Sequence, residues 1–367
     1  MRKEIGVISL FDLGWSDFFA EEFCKLNAAG LVPARVTQEL KGAFRVHCES
    51  GEWLADISGR LRFTAQAGAH LPAVGDWAAV SPRRDTGRAT IHGVLPRRTK
   101  VSRKIAGRVT SEQILAANLD TIFVVSSLNG DLNPRRIERY LAVVWESGAR
   151  PVVLLNKADL CGDLAPVSAE IESVAMGVPV HAVSAISGAG LDALAVYLAR
   201  GQTVALLGSS GVGKSTLINR LLGREALPTD PVREDDGRGR HITSTRQLVL
   251  LPGRGMLIDT PGMRELQLWD ADSGISQTFE DIAALATQCR FGDCGHHSEP
   301  GCAVRRALDD GALDSSRLEN FRKLEKELAF LARRQDVVLQ AAEEKKWRKI
   351  QKEQKRSYRF RDRHGRM

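Results

Sequence analysis

The sequence predicts an α/β protein: a parallel-sheet domain in the middle, a small β-barrel before it, and a mostly helical, cysteine-bearing module after it. Three observations carry that reading. From about residue 110 to 270 apolar strands alternate with amphipathic helices, the pattern of a parallel sheet covered by helices. Residues 31–105 hold short alternating apolar stretches punctuated by Gly and Pro, which reads as a small β domain. Three of the six cysteines cluster between positions 289 and 302.

The chain has 367 residues, 43% hydrophobic and 26% charged, enough for two or three globular domains. No apolar run of about 18 residues is present. The N-terminus lacks an apolar stretch followed by a cleavage site. A cytoplasmic protein with no membrane partner is expected, and a monomer. The scattered Cys24, Cys48 and Cys161 read as small apolar residues rather than as a disulfide framework. Net charge is +7, and it is concentrated: residues 31–105 and 343–367 each carry +7, so the remainder carries −7. Two positive ends suggest a polyanion, with nucleic acid the first candidate.

In chain order, residues 1–30 form a short helical or irregular leader. Residues 31–105 contain the strands ARVTQEL, AFRVHCES, EWLADISG and DWAAVSP. A basic five-stranded barrel of this size suits an OB-fold, although other small β domains share the pattern. Residues 106–270 form the α/β domain. DTIFVVSSL is a strand, PRRIERYLAVVWESG a helix, ARPVVLLNKADL a strand, IESVAMG a helix, VPVHAVSA a strand and LDALAVYLA a helix. TVALLGSSGVGKSTLINRLL follows as strand, loop and helix, then QLVLLPGRGMLIDTPG as a hairpin. Residues 271–341 are mainly helical around the cysteine cluster, and 342–367 form a basic tail too charged to fold alone.

Residues 208–215 read GSSGVGKS, the phosphate-binding GxxxxGK[ST] pattern in its required place between strand and helix. Gly208, Ser209, Ser210, Gly211, Val212 and Gly213 would wrap backbone N–H groups around phosphate oxygens. The helix beginning Lys214, Ser215, Thr216 adds its positive end. Lys214 would reach the β- and γ-phosphates and Ser215 would coordinate Mg²⁺. Residues 156–159 read NKAD. Asp159 can accept both donors on one edge of guanine, a pair that adenine lacks, so a carboxylate here favours GTP or GDP. Asn156 can tie the loop together, Lys157 can lay its stem along the base, and Ala158 lies between. Ser184 and Ala185 match the accompanying SA motif, which offers a backbone N–H to guanine O6. DTPG at 259–262 supplies Asp259 for Mg²⁺ and the Gly262 N–H for the γ-phosphate. The polar segment 237–247 reads as a first switch loop, with Thr243 the candidate Mg²⁺ ligand. Met263 occupies the place where related enzymes use Gln to position water. His241 is the candidate for that catalytic task, alongside Lys214.

These motifs run NKAD, SA, GSSGVGKS, switch loop, DTPG, a circular permutation of the order in Ras-like GTPases. With GDW (75–77), NLD (118–120), GRHITS (239–244), DTPGMREL (259–266) and CRFGDCGHHSEPGCAV (289–304), the chain resembles the ribosome small-subunit-dependent GTPase A family over about residues 31–335. The resemblance implies an N-terminal OB-fold, a circularly permuted P-loop GTPase domain and a C-terminal zinc-binding module. It also implies binding to the small ribosomal subunit and its rRNA late in maturation, with subunit-stimulated hydrolysis. The spacing C-x4-C-x-H-x5-C offers Cys289, Cys294, His296 and Cys302 as a closed structural zinc site. His297 is an alternative ligand, and the resemblance favours His296. A P-loop ATPase is disfavoured by Asp159. Two further readings are a GTP-binding scaffold that has lost hydrolysis and a zinc protein with a vestigial nucleotide site.

Overall fold

The alternation in the N-terminal segment closes into a barrel. The computed structural model describes residues 8–26, 30–64, 70–83, 85–105, 111–130, 132–224, 246–259 and 272–335. The first helix, α1 (Asp17–Lys25), precedes strands β1 (Val32–Leu40), β2 (Ala43–Cys48) and β3 (Gly51–Ile57). A short helix α2 (Gly59–Thr64) leads to β4 (Trp77–Arg83) and β5 (Arg88–Val94). The five strands pair β1–β2–β3–β5–β4 and back to β1, so the sheet has no open end over that length. Bulges between Val36 and Gln38 and between Ala79 and Val80 bend the strands enough to close. Every second side chain points inward: Ala34, Val36, Val46, Ala55, Ala78, Val80 and Ile91 form the interior. The small alanines allow so narrow a barrel to fill.

A hairpin of β6 (Lys100–Ile105) and β7 (Ser111–Ala117) spans the boundary expected near residue 105. The central domain then supplies β8 (Thr121–Ser127), α3 (Pro134–Glu146), β9 (Arg150–Asn156), α4 (Ala165–Val174) and β10 (Val180–Ala182). It continues with β11 (Thr203–Leu207), α5 (Lys214–Leu222), β12 (Gln247–Leu250) and β13 (Met256–Asp259). Their sheet order is β10-β9-β8-β11-β13-β12. All are parallel except β12, which runs against β13. Strand β8 is buried along its whole length, which is why TIFVVSS reads as a continuous run rather than an alternation. Helix α3 starts cleanly, because Asn133 accepts from the Arg136 N–H and Pro134 takes the first helical position. The expected helix in LDALAVYLA is a 3₁₀ segment, Leu191–Val196. Leu191 and Leu194 lie three apart, and three-residue periodicity aligns them on one face.

Helices α6 (Asp272–Thr278), α7 (Glu280–Ala286), α8 (Ala303–Asp309) and α9 (Ser315–Gln335) complete the described fold. They dock on α3. Gly274 sits so close to the Ala142 carbonyl that any Cβ would collide with it. Glu138, fully buried in α3, accepts from Arg135, from Arg317 at 2.7 Å and from Asn320 at 2.6 Å. Arg317 also bonds Asp281 at 2.7 Å and lies over the Phe279 ring at 4.9 Å. Burial of that carboxylate is tolerated because several donors converge on it.

Barrel and central sheet are one hydrogen-bonded surface. β12 pairs with β1 at Gln38↔Gln247, making the sheet eleven-stranded. Arg246 Nη1 meets Glu39 Oε2 at 2.7 Å beside that bridge.

Candidate nucleotide site and metal centre

The parallel strands deliver the NKAD, SA, phosphate-loop and Asp259 motifs to one edge. Ser127, Asn156, Ala182, Leu207 and Asp259 end β8, β9, β10, β11 and β13, and the carboxyl edge of such a sheet is where open α/β folds bind ligands. At the end of β11, Gly208 faces the Val125 carbonyl oxygen of β8 too closely for any side chain. The chain then turns through Ser209 and Ser210 to Gly211 and Gly213, which have φ of 80° and 92°, conformations that glycine reaches without strain. Val212, between them, is buried and anchors the loop in the core under the sheet. Lys214 opens α5, and its ammonium donates to the Gly208 carbonyl at 2.7 Å and to the Ser209 carbonyl. That places a cation at the mouth of the loop, where a phosphate would offer a stronger, charge-assisted partner. Ser215 and Thr216 follow in the first turn of α5.

Asn156 joins three motifs. Its Nδ2 donates to the Val212 carbonyl in the phosphate loop at 2.8 Å, and its Oδ1 accepts from the Ala185 N–H at 3.1 Å. A Cβ at Gly213 would strike that same Nδ2. Lys157 then adopts φ of 64°, turning the chain into the 3₁₀ segment Ala158–Leu160. The Ala158 N–H bonds the Val183 carbonyl at 3.1 Å, so the NKAD and SA loops are laced together twice. Asp159 is exposed, its carboxylate available to a ligand. Ser184 is fully buried, and its Oγ accepts from the Ser187 N–H at 3.1 Å, which fixes the SA turn rather than contacting solvent.

Asp259 stands one residue beyond the Ala205↔Ile258 pair, beside the strand that ends in the phosphate loop. One of its carboxylate oxygens is shielded from solvent, a fitting hard oxygen donor for Mg²⁺. His241, Thr243 and Gly262 lie outside the described residues, as does Met263.

The cysteine cluster is assembled. Ligand atoms of Cys289, Cys294, His296 and Cys302 all lie within 4.8 Å of one another. Cys289 Sγ is 3.8 Å from Cys302 Sγ, and His296 Nδ1 is 3.6 and 3.5 Å from those two sulfurs. A tetrahedron with Zn–S of about 2.3 Å and Zn–N of about 2.0 Å has edges of roughly 3.8 and 3.5 Å. The donor set is therefore compatible with one structural zinc, and His296 is the histidine in it. His297 is not in that donor group; its backbone carbonyl accepts from Arg305 at 2.6 Å. Burial, then the nearby Arg322 cation, hold the His296 imidazole below its usual pKa, which favours the neutral, ligating form. Glu299 braces the loop by accepting from the N–H groups of Gly295, His297 and Ser298. Its own backbone N–H first, and then those three, lower its pKa to about 2.

GDW and NLD, which the sequence marks without a role, prove to be one joint. Gly75, at φ of 91°, packs against the Ala117 carbonyl with no room for a Cβ. Asn118 Nδ2 donates to the Gly75 carbonyl at 3.0 Å, and Asn118 Oδ1 accepts from the Arg98 N–H at 2.9 Å. Asp76 is buried and doubly bonded to Arg97 at 2.8 and 2.7 Å. Burial pushes the Asp76 carboxyl upward against the pull of that guanidinium. Asp120 accepts from the Thr203 N–H at 2.8 Å. The signals in the sequence were the glycine and the three polar residues Asp76, Asn118 and Asp120 flanked by apolar strands.

Residues 94–269 match the model of a family described as RsgA GTPase. The chain is 50% identical over 352 residues to the small ribosomal subunit biogenesis GTPase RsgA of Opitutus terrae, covering 94% of this chain and 96% of that one. It is 42% identical over 366 residues to the protein of the same name from Syntrophotalea carbinolica, covering 98% and 99%. Among solved structures, the crystal structure of YjeQ from Thermotoga maritima superposes with a TM-score of 0.62 at 27% identity, covering 82% of this chain and 99% of that one. YloQ, described as a circularly permuted GTPase, shares the fold with a TM-score of 0.59 at 21% identity, covering 82% and 96%.

Proposed function

The chain belongs to the RsgA GTPase family, and on that premise we propose that it binds the small ribosomal subunit late in maturation and hydrolyses GTP there, with turnover raised by the subunit. As a family member it is a GTP hydrolase. The name shared by its relatives, small ribosomal subunit biogenesis GTPase, supports the partner. The observation that carries the site is the double tie of Asn156, to Val212 and to Ala185. One buried amide fixes the distance between the loop that would hold phosphates and the loops that would hold the base.

In this reading Asp159 accepts from guanine N1–H and the exocyclic amine, with Lys157 alongside the ring, Ala158 in the same turn, and the Ala185 segment, fixed by Ser184, near O6. Backbone N–H groups of residues 208–213 and the N-terminus of α5 face the phosphates, with Lys214, Ser215 and Thr216. Ser215, Asp259 and Thr243 would hold Mg²⁺, which when bound supplies charge neutralisation between the β- and γ-phosphates. Gly262 senses the γ-phosphate and His241 orients the attacking water. Zn²⁺ on Cys289, Cys294, His296 and Cys302 would contribute folding energy to the loop between α7 and α8. The basic barrel and tail, each +7, meet ribosomal RNA, where neutralised phosphates supply affinity. The protein works as a cytoplasmic monomer; no described helix is long and apolar enough to cross a membrane. The domains run 31–105, 106–270 and 271–341, with a leader before and a basic tail after.

The test is GTP turnover by the full chain, alone and with small ribosomal subunits, at fixed Mg²⁺ and salt. Subunits should raise the rate strongly, and Lys214→Ala should abolish it. Turnover indifferent to subunits would refute the partner, and unchanged turnover in Lys214→Ala would refute the site.

A further inference from the structure

The four donors of the cysteine cluster stand on unequal supports. Cys289 follows α7, its N–H bonded to the Ala286 carbonyl at 3.1 Å. Cys302 is the N-cap of α8, and its Sγ accepts from the Arg305 N–H at 3.4 Å. Cys294 closes a turn on the Phe291 carbonyl at 3.3 Å. His296 has no helix end beneath it. Its backbone sits at φ of 59°, a left-handed conformation that a residue with a Cβ adopts when its surroundings impose it. Relaxation to negative φ would re-aim the Cα–Cβ bond. The imidazole Nδ1 would then leave the sulfurs of Cys289 and Cys302, which it meets at 3.6 and 3.5 Å.

One carboxylate and two guanidiniums impose that conformation. Glu299 Oε1 accepts from the Gly295 N–H at 3.0 Å, and its Oε2 accepts from the N–H groups of His297 at 2.7 Å and Ser298 at 2.9 Å. These donors lie on both sides of His296 in the chain. Gly295 leaves room for the carboxylate, since a Cβ there would come within 3.2 Å of Oε1. Arg322 of α9 donates to the His296 carbonyl, and Arg305 of α8 to the His297 carbonyl at 2.6 Å. Glu299 is outside the donor group, so it acts on the cluster through the backbone. None of these bonds uses a donor atom of the cluster, so they hold whether or not an ion is bound.

We propose that Glu299 is a positioning residue for the metal centre: by gathering the N–H groups on both sides of His296, it holds the loop in its ligating conformation before the ion arrives and so sets the affinity for zinc. The proposal rests on the reading of the cluster as a zinc site. A loop that must be ordered on binding subtracts its lost entropy from the affinity, whereas a loop already ordered does not. Hydrogen-bond partners outside the ligand set typically change metal affinity by about 10–100-fold.

The experiment is a zinc titration of the stripped full chain against a chromophoric chelator, with Glu299→Gln beside Asp293→Asn. Gln keeps the length of Glu but replaces one accepting oxygen with an amide nitrogen that only donates. Asp293 is exposed in the same loop and accepts from none of the three N–H groups, so its variant removes an equal charge and leaves the brace intact. Glu299→Gln should weaken zinc binding about 10–100-fold, and Asp293→Asn should stay within about fivefold of wild type. Saturating cobalt should give both variants the wild-type tetrahedral thiolate spectrum, because all four ligands remain. In the metal-free chain, hydrogen exchange across 295–298 should be slowed in wild type and released in Glu299→Gln. Equal zinc affinity in wild type and Glu299→Gln, an equal loss in both variants, a cobalt spectrum that shows a lost ligand, or metal-free wild type exchanging there as fast as Glu299→Gln would overturn the proposal. A wild-type chain that keeps the slow exchange yet takes up no zinc would overturn the metal centre itself, and the proposal with it.

Discussion

Asn156→Ala is the sharpest perturbation that the nucleotide site offers. The amide is 1% exposed and makes two hydrogen bonds, 2.8 Å to the Val212 carbonyl and 3.1 Å from the Ala185 N–H. Truncation leaves a carbonyl and an N–H to find other partners, at about 1–3 kcal/mol for each group that stays buried and unpaired. With partial relaxation the total is roughly 2–4 kcal/mol, or a weakening of about 30-fold or more if it falls on nucleotide binding. The assay is direct titration with GTP and with inosine triphosphate, which lacks the exocyclic amine. Both affinities should fall by the same factor, because the tie between loops is lost rather than a contact to the base edge. Asn156→Asp gives a second reading. It keeps the acceptor for Ala185 but sets a carboxylate oxygen against the Val212 carbonyl, so it should be at least as damaging. Binding of GTP by Asn156→Ala within threefold of wild type would show that the amide does not hold the loops in register. A loss confined to GTP would mean that it touches the base edge instead.

Asp159→Asn should reverse the preference between GTP and xanthosine triphosphate, since xanthine replaces guanine's amine with a carbonyl that an amide can donate to; competition binding reads this, and an unchanged preference would remove Asp159 from base recognition. One equivalent of zinc should be found by metal analysis, and stripping it should lower the melting temperature of the helical module while nucleotide binding persists; a metal-free chain with the same melting profile would refute the zinc reading. Glu327 bonds Arg139 at 2.6 and 2.7 Å, and that partner above all holds its pKa below the ordinary 4.5. A depressed carboxylate contributes stability that is present above the unfolded pKa and lost as pH falls through the folded one. The melting-temperature deficit of Glu327→Gln should therefore be constant from pH 6 to 8 and shrink below about 4.5, and it should be small because the pair is partly exposed. A deficit that grows on acidification would contradict the assignment.

The phosphate loop, the base-reading loop and the zinc cluster were legible because each depends on short-range chemistry. Glycines must precede Lys214, a carboxylate must sit three residues after Asn156, and thiols must recur at ligand spacing. The class of the fold was legible for a similar reason: a buried run such as Thr121–Ser127 and an alternating one such as Ala43–Cys48 differ in period. What the sequence hid was long-range. Arg35 meets Thr203 from 168 positions away, and Glu138 meets Arg317 from 179. No local pattern distinguishes such a buried charge from a solvated one. The fifth barrel strand, Arg88–Val94, was likewise missed as a separate segment, since RATIHGV alternates for only a few residues before Gly93. The switch assignments at His241, Thr243 and Gly262 fall outside the described residues, so their roles rest on the motifs alone.

The bridge between β1 and β12 has a consequence for synthesis. Strand β1 meets β4 along Val32–Arg35, but at Gln38 its neighbour on the same side is Gln247. During translation the barrel is complete at Val94, when that neighbour is still about 150 codons away, a delay of roughly 8–30 s at ordinary elongation rates. For that interval the end of β1 is an open edge on an otherwise sealed barrel. Glu39, at that edge, puts a charge where another strand would otherwise add on. When Arg246 arrives, the same carboxylate becomes its ion-pair partner. One residue thus guards the nascent edge and later receives the strand that covers it.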